Sequence, residues 1–191
     1  LADEEWLTWL INWMEGWPSC GIAGSKLLYP DGRLQHSGIT IRKGQCGRNR
    51  VFNGDPNIPE ANYYEKMQAV TGAVYCIRGK MMREIGGLDE GYMFGCEDTE
   101  YCLRANALGW ETWYVPNSVV AHHENAVRKS VADDRVRRWA ASSNRRFREQ
   151  WGPHVDFCDG GKVAIVDSAK SAEAEKLECR LLSAGVDAKV V

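Results

Sequence analysis

Long apolar runs are missing from this chain: no segment of its 191 residues approaches the roughly 18 apolar residues that a membrane-spanning helix needs. Runs of lysine or arginine are missing too, and the formal net charge is −2. Electrostatics therefore gives no reason to expect nucleic acid or an anionic membrane as a partner. The seven cysteines are scattered and odd in number. They include no CxxC and no paired Cys/His spacing, which sets aside structural zinc. They fit a reducing cytosolic compartment better than a disulfide framework. Histidine is scarce, with four in all, too few to furnish the ligands of a metal-dependent hydrolase. Neither an initiator methionine nor a signal peptide stands at Leu1, so the chain reads as a fragment of a longer polypeptide.

What is present is a soluble globular composition, 44% hydrophobic and 26% charged, enough for one domain with a core and some chain to spare. Residues 3–15 predict a helix, because Trp6, Trp9, Leu10, Trp13 and Met14 fall on one stripe. That stripe suits packing on a sheet better than contact with a membrane or a sugar. Gly16, Pro18 and Gly21 stop it. Residues 21–29 predict a buried strand, 30–32 a reverse turn and 33–41 a second strand, so that 22–41 forms a hairpin-like unit. Residues 42–66 lack periodicity and read as a long loop with Lys43, Arg48 and Arg50 at a positive tip. A small-residue strand over 69–77 follows, in which Gly72 allows close approach of a ligand or another backbone. Residues 78–87 predict a short helix with a glycine stop.

The stretch from Gly86 to His123 carries the chemistry. An acidic knot (Glu97, Asp98, Glu100) opens a predicted helix over 98–108, with Tyr101, Cys102, Ala105 and Leu108 on one face and Gly109 as its stop. Runs 111–116 and 118–123 read as strands split by a turn at Pro116-Asn117, and the second ends on His122 and His123. Acidic residues in a first helical turn complement the helix dipole, and a strand end puts one of two adjacent histidines inside and one outside. Brought together, carboxylates and imidazoles are equally the material of an acid/base or metal site. An amphipathic basic helix is predicted over 133–150, ended by Trp151-Gly152-Pro153.

Three segments in order, PDGRLQHSG, then VTGAVYCIRGKMMREIGGLDEGYMFGCEDTEYCLRANALGW, then YVPNSVVAHHE, resemble the carboxy-terminal half of family-2 glycosyltransferases, nearest the rhamnosyltransferase-like enzymes of cell-surface polysaccharide synthesis. The resemblance covers roughly residues 1–152. It implies an α/β fold, the carboxy-terminal half of a GT-A (Rossmann-like, mixed-sheet) domain, and inverting transfer from a nucleotide-sugar donor to a saccharide or glycan acceptor. By the same resemblance Glu97-Asp98 is the family's acidic pair. Asp98 is then the catalytic base that takes the acceptor hydroxyl's proton, and Glu97 orients it or touches the acceptor. A divalent cation, Mg²⁺ or Mn²⁺, helps the departing diphosphate. His122, twenty-four residues after Asp98, is the expected ligand of metal or diphosphate ahead of His123. Gly72 lies on the strand flooring the acceptor site, and Gln35 and His36 match a QHxG segment near the donor. The implied location is cytoplasmic, compatible with peripheral association at the inner face of the membrane.

An Asp-x-Asp at the end of an apolar strand, which the family uses for its main metal carboxylates, does not occur in residues 1–150. The expectation is therefore an acceptor-side half (1–152) that does not turn over alone. A linker (153–158) and a truncated Rossmann-like βαβ unit (159–191) from a second domain of the same polypeptide follow. The competing reading is a non-catalytic carbohydrate-binding or assembly module that keeps the acceptor half for its surface.

Overall fold

The apolar stripe of the first helix is matched by what it covers. In the computed structural model, which describes residues 3–41, 46–51, 53–123, 134–154, 163–165 and 188–190, α1 spans Trp6–Gly16. Leu10 and Met14 are buried, with Trp6, Trp9 and Trp13 half-buried beside them, while Leu7 and Ile11 on the other side are exposed. The helix lies on β1 (Cys20–Leu28) and β7 (Glu111–Ala121).

β1 is apolar almost throughout because it is covered on both faces. Cys20 and Ala23 pack with Leu10, Met14 and Val115. Ile22 points the other way, into a second cluster with Val70, Met81, Tyr101, Cys102 and Tyr114. Such two-sided burial produces a continuous hydrophobic run rather than alternation. On one edge β1 runs parallel to β7, and β5 (Glu65–Lys66) adds antiparallel to the far side of β7. The other edge is shared by β2 (Leu34–His36) and β6 (Tyr75–Ile77), both antiparallel. The result is a mixed five-stranded sheet with helices on both faces, the mixed α/β architecture expected. At Gly24 a Cβ would lie 2.5 Å from the Cβ of Val70, so the second layer sits directly on the backbone of the central strand.

Several boundaries differ from expectation. The second strand of the hairpin breaks after His36. Gly38, at φ 106°, turns the chain, and β3 (Ile39–Thr40) pairs instead with β4 (Arg48–Asn49) in a separate ribbon. The loop at 42–66 therefore contains β4, a 3₁₀ turn at Pro59–Ala61 and β5. Of its expected positive tip, Arg48 is exposed but Arg50 is turned to other work. Arg50 pairs with Glu65, donates to the Glu60 carbonyl and lies over the Tyr114 ring, while Lys43 falls outside the described residues. The strand expected over 69–77 is short; only 75–77 is regular, and 71–74 is a turn. At Pro116-Asn117 there is no turn but one continuous strand. Val115 pairs with Ser25 and Val119 with Lys26, so the proline sits in a bulge where no ladder hydrogen bond is asked of it.

α2 (Gly79–Ile85) ends at Gly86, whose φ of 81° suits a glycine. α3 (Glu97–Ala107) follows, with Tyr101, Cys102 and Ala105 buried. Leu108, expected on that face, is instead the exposed C-cap residue. Glu100 is buried and holds Arg104 through both carboxylate oxygens, each at 3.0 Å. That guanidinium also donates to the carbonyls of Ile85 and Gly87, so this member of the acidic knot clamps the Gly86-Gly87 turn. α4 (Asp134–Trp151) buries Ser143 and Phe147 and reaches the loop ahead of α3. Arg146 pairs with Asp89 at 2.7 Å, and Tyr92 Oη donates to Gln150 at 2.9 Å.

The chain divides into two units, Leu1–Val155 and Asp156–Val191. In the second, β8 (Val163–Ile165) and β9 (Ala188–Val190) pair in parallel, and the helix of the expected βαβ unit lies outside the described residues. Among the described residues no helix is long and apolar enough to cross a membrane.

Candidate active site

Asp98 stands in the first turn of α3, half-buried, with its carboxylate held at both ends by backbone amides. Gly72 N–H donates to Oδ2 at 2.8 Å and Thr99 N–H to Oδ1 at 2.7 Å. Thr99 Oγ1 also donates to Oδ1 at 3.3 Å, so of about four lone-pair directions on the carboxylate the one left on Oδ2 is the one open to a substrate proton. Gly72 is in a turn and not on a strand, which corrects the sequence expectation, but the close approach foreseen for it is real. A Cβ there would lie 2.8 Å from Cε1 of Tyr75 and 3.1 Å from the Cβ of Asp98. Glu97, the first residue of α3, is half-buried beside it.

On the other side of the same turn lies a small open pocket of about 70 Å³, lined by Leu27, Gln35, His36, Asn49, Thr71, Ala73 and His122. His122 is half-buried and His123 exposed, as expected of a strand end. His122 Nδ1–H donates to Gln35 Oε1 at 2.8 Å, and Gln35 Nε2 returns a bond to the His122 carbonyl at 3.2 Å. This pair fixes the tautomer and leaves Nε2 as the atom able to bind a ligand. Asp98 does not line the pocket. The turn Thr71–Ala73 joins the two, with Thr71 and Ala73 in the pocket wall and Gly72 on Asp98.

His36 behaves differently from a surface ligand. It is 1% exposed, with Nδ1 2.6 Å from Asn49 Oδ1 and Nε2 facing the amides of Gly38 (3.3 Å) and Thr71 (3.4 Å). Burial lowers its imidazole to about 4, so it is neutral at pH 7.

The cysteines also hold a correction. Cys46 and Cys96 form a disulfide with Cα atoms 5.6 Å apart, while Cys20, Cys76 and Cys102 are free thiols. Cys96 is the N-cap residue of α3, in the left-handed region at φ 73°, immediately before Glu97 and Asp98. A lone pairing across fifty residues has no local signal in the sequence, and the same holds for Asn49 and Thr71. Among the described residues no group of three His, Cys, Asp or Glu could hold a metal ion. His122 offers a single donor, so these residues alone do not make the divalent-cation site that the resemblance implies.

Residues 55–152 match the model of the family described as "Glycosyltransferase like family 2". The chain belongs to that family. Similar curated proteins agree with it. The O-antigen biosynthesis protein RfbC of Myxococcus xanthus is 29% identical over 167 residues, 82% of this chain and 12% of that protein. The uncharacterized protein y4gI of Sinorhizobium fredii is 28% identical over 164 residues, 81% of this chain and 17% of its own. An N-acetylglucosaminyl-diphospho-decaprenol L-rhamnosyltransferase of Mycobacterium tuberculosis is 26% identical over 126 residues, 60% of this chain and 41% of the relative. The chain thus spans less than half the length of each. For this family-2 glycosyltransferase chain, the mixed α/β sheet is that of a partial GT-A domain.

Proposed function

We propose that this chain forms the acceptor side of an enzyme that moves a sugar, with inversion, from a nucleotide-sugar donor to a hydroxyl of a saccharide or glycan in polysaccharide synthesis. The observation that supports it most is the Asp98 carboxylate, oriented by two backbone amides, one from α3 and one from the turn that also walls the His122 pocket. Asp98 accepts the acceptor hydroxyl's proton as that oxygen attacks the anomeric carbon. The bond from that carbon to the diphosphate breaks on the opposite face, and the electron pair leaves with the nucleoside diphosphate. Glu97 sits where it contacts the acceptor or steadies the base. His122, its Nδ1–H taken by Gln35, offers Nε2 to the diphosphate or its cation. The cation itself needs carboxylates besides these. Donor sugar of the rhamnosyl class, a place at the cytoplasmic side of a membrane, and a Rossmann-like identity for residues 159–191 belong to the same proposal and rest on the relatives' names or the sequence alone.

The test is nucleoside diphosphate release from a panel of nucleotide sugars. The 191-residue chain is assayed alone and within a polypeptide that also carries an Asp-x-Asp donor site. Turnover is expected only from the longer protein, with the product anomer inverted by NMR. There Asp98→Asn should cost roughly 10²- to 10⁴-fold in kcat, the range of a lost general base, with an unchanged circular dichroism spectrum. An active Asp98→Asn variant removes the base assignment. Glycan binding without turnover in any polypeptide would favour the carbohydrate-binding module.

A further inference from the structure

We propose that His36 is a positioning residue, whose buried imidazole holds the Thr71–Gly72 turn and through it sets the carboxylate of Asp98. The proposal rests on the reading of Asp98 as the base.

Two N–H groups, from Gly38 and Thr71, converge on Nε2 of His36, which must therefore be the unprotonated ring nitrogen. Nδ1 then carries the proton and donates it to Asn49 Oδ1 at 2.6 Å. The ring thus bridges two elements and a turn: β4 through Asn49, the Gly38 bend after β2, and the turn after Val70. One residue beyond Thr71, the amide of Gly72 donates to Asp98. Successive amides of one turn are thus divided between a neutral imidazole and a carboxylate. A turn held by only one of them keeps its hinge free, whereas two adjacent anchors fix both peptide planes that meet at the Thr71 Cα. A Cβ at Gly72 would lie 2.8 Å from Tyr75 Cε1 and 3.1 Å from the Cβ of Asp98, so the turn packs closely enough on both that only glycine fits there. At 1% exposure the imidazole is shielded from water in the intact chain, and its depressed basicity keeps Nε2 an acceptor at neutral pH. Glutamine can present an oxygen near the position of Nε2; phenylalanine fills the volume and accepts nothing.

The test begins on the unaltered chain. Ring ¹⁵N shifts should show His36 protonated at Nδ1 and bare at Nε2 at pH 7; the opposite tautomer, or a charged ring, overturns the proposal without any variant having to fold. Hydrogen exchange then follows the Thr71 and Gly72 amides, with those of β1 as the folding control. In His36→Phe both should exchange roughly tenfold faster or more, the loss of about one hydrogen bond, while β1 is unchanged. His36→Gln should restore them. Unchanged exchange in a folded His36→Phe, or no rescue by glutamine, overturns the proposal. In the active polypeptide His36→Phe should lower kcat with little change in KM, and should add nothing to Asp98→Asn. If Asp98→Asn proves active, the base reading fails while the exchange result still reports on the turn.

Discussion

His36 couples the stability of the molecule to pH. Its imidazole is lowered from an ordinary 6.5 to about 4 by burial, so the unfolded chain binds a proton at pH values where the folded chain does not. By linkage, stability is complete above the unfolded value and falls as pH drops from about 6.5 towards 4, by about 3 kcal/mol at most. Urea unfolding at steps from pH 7 to pH 4 should show this slope, and His36→Gln should flatten it. Glu111 pulls in the same direction at lower pH. Trp113 first, then Lys66, Trp17 and Ser19, donate to its carboxylate and hold it down to about 2. The places of Asp98 at a helix start and His122 at a strand end, and the close approach at Gly72, were legible in the sequence, whereas the roles proposed for them come from the family resemblance. What His36 does was not legible. Its partners Asn49 and Thr71 lie 13 and 35 residues away in stretches without periodicity, and nothing local marks them.

Helices α1, α3 and α4 were legible for a physical reason: each buries one stripe, and a stripe repeats in sequence. The sheet was less so. Pro116 looked like a turn because proline breaks ladders, yet the bulge opposite Ser25 and Lys26 removes the demand on its missing N–H. The second hairpin strand stopped at His36 because Gly38 bends the chain over Met67, a contact with no echo in local alternation. α4 is tied to the loop ahead of α3 by polar bonds, Arg146 to Asp89, Tyr92 to Gln150 and the Phe94 amide to Ser143 Oγ, and it buries Phe147. Phe147 is 1% exposed, so Phe147→Ala should cost about 3–5 kcal/mol in thermal or urea unfolding.

The Cys46–Cys96 disulfide closes a loop with fifty residues of separation, worth about 4 kcal/mol by restriction of the unfolded chain. Thermal unfolding with and without a dithiol reductant should therefore differ by roughly 10 °C for a unit of this size. Equal midpoints, with both thiols confirmed reduced, would show that the bond does not restrain the fold. Because Cys96 caps α3, its redox state is set one residue from Glu97 and two from Asp98.

The pairing of β1 with β7 joins Cys20 to Glu111 and Leu28 to Ala121, positions about ninety residues apart in the chain. On a ribosome adding about 5–20 residues per second, β1 therefore waits roughly 5–20 s for its parallel neighbour to be made. Throughout that interval this buried central strand has an open edge, protected only by what α1, β2 and β6 can cover. A family-2 chain of this design is most vulnerable to aggregation while it is being synthesised, and slower translation between β6 and β7 should reduce its soluble yield.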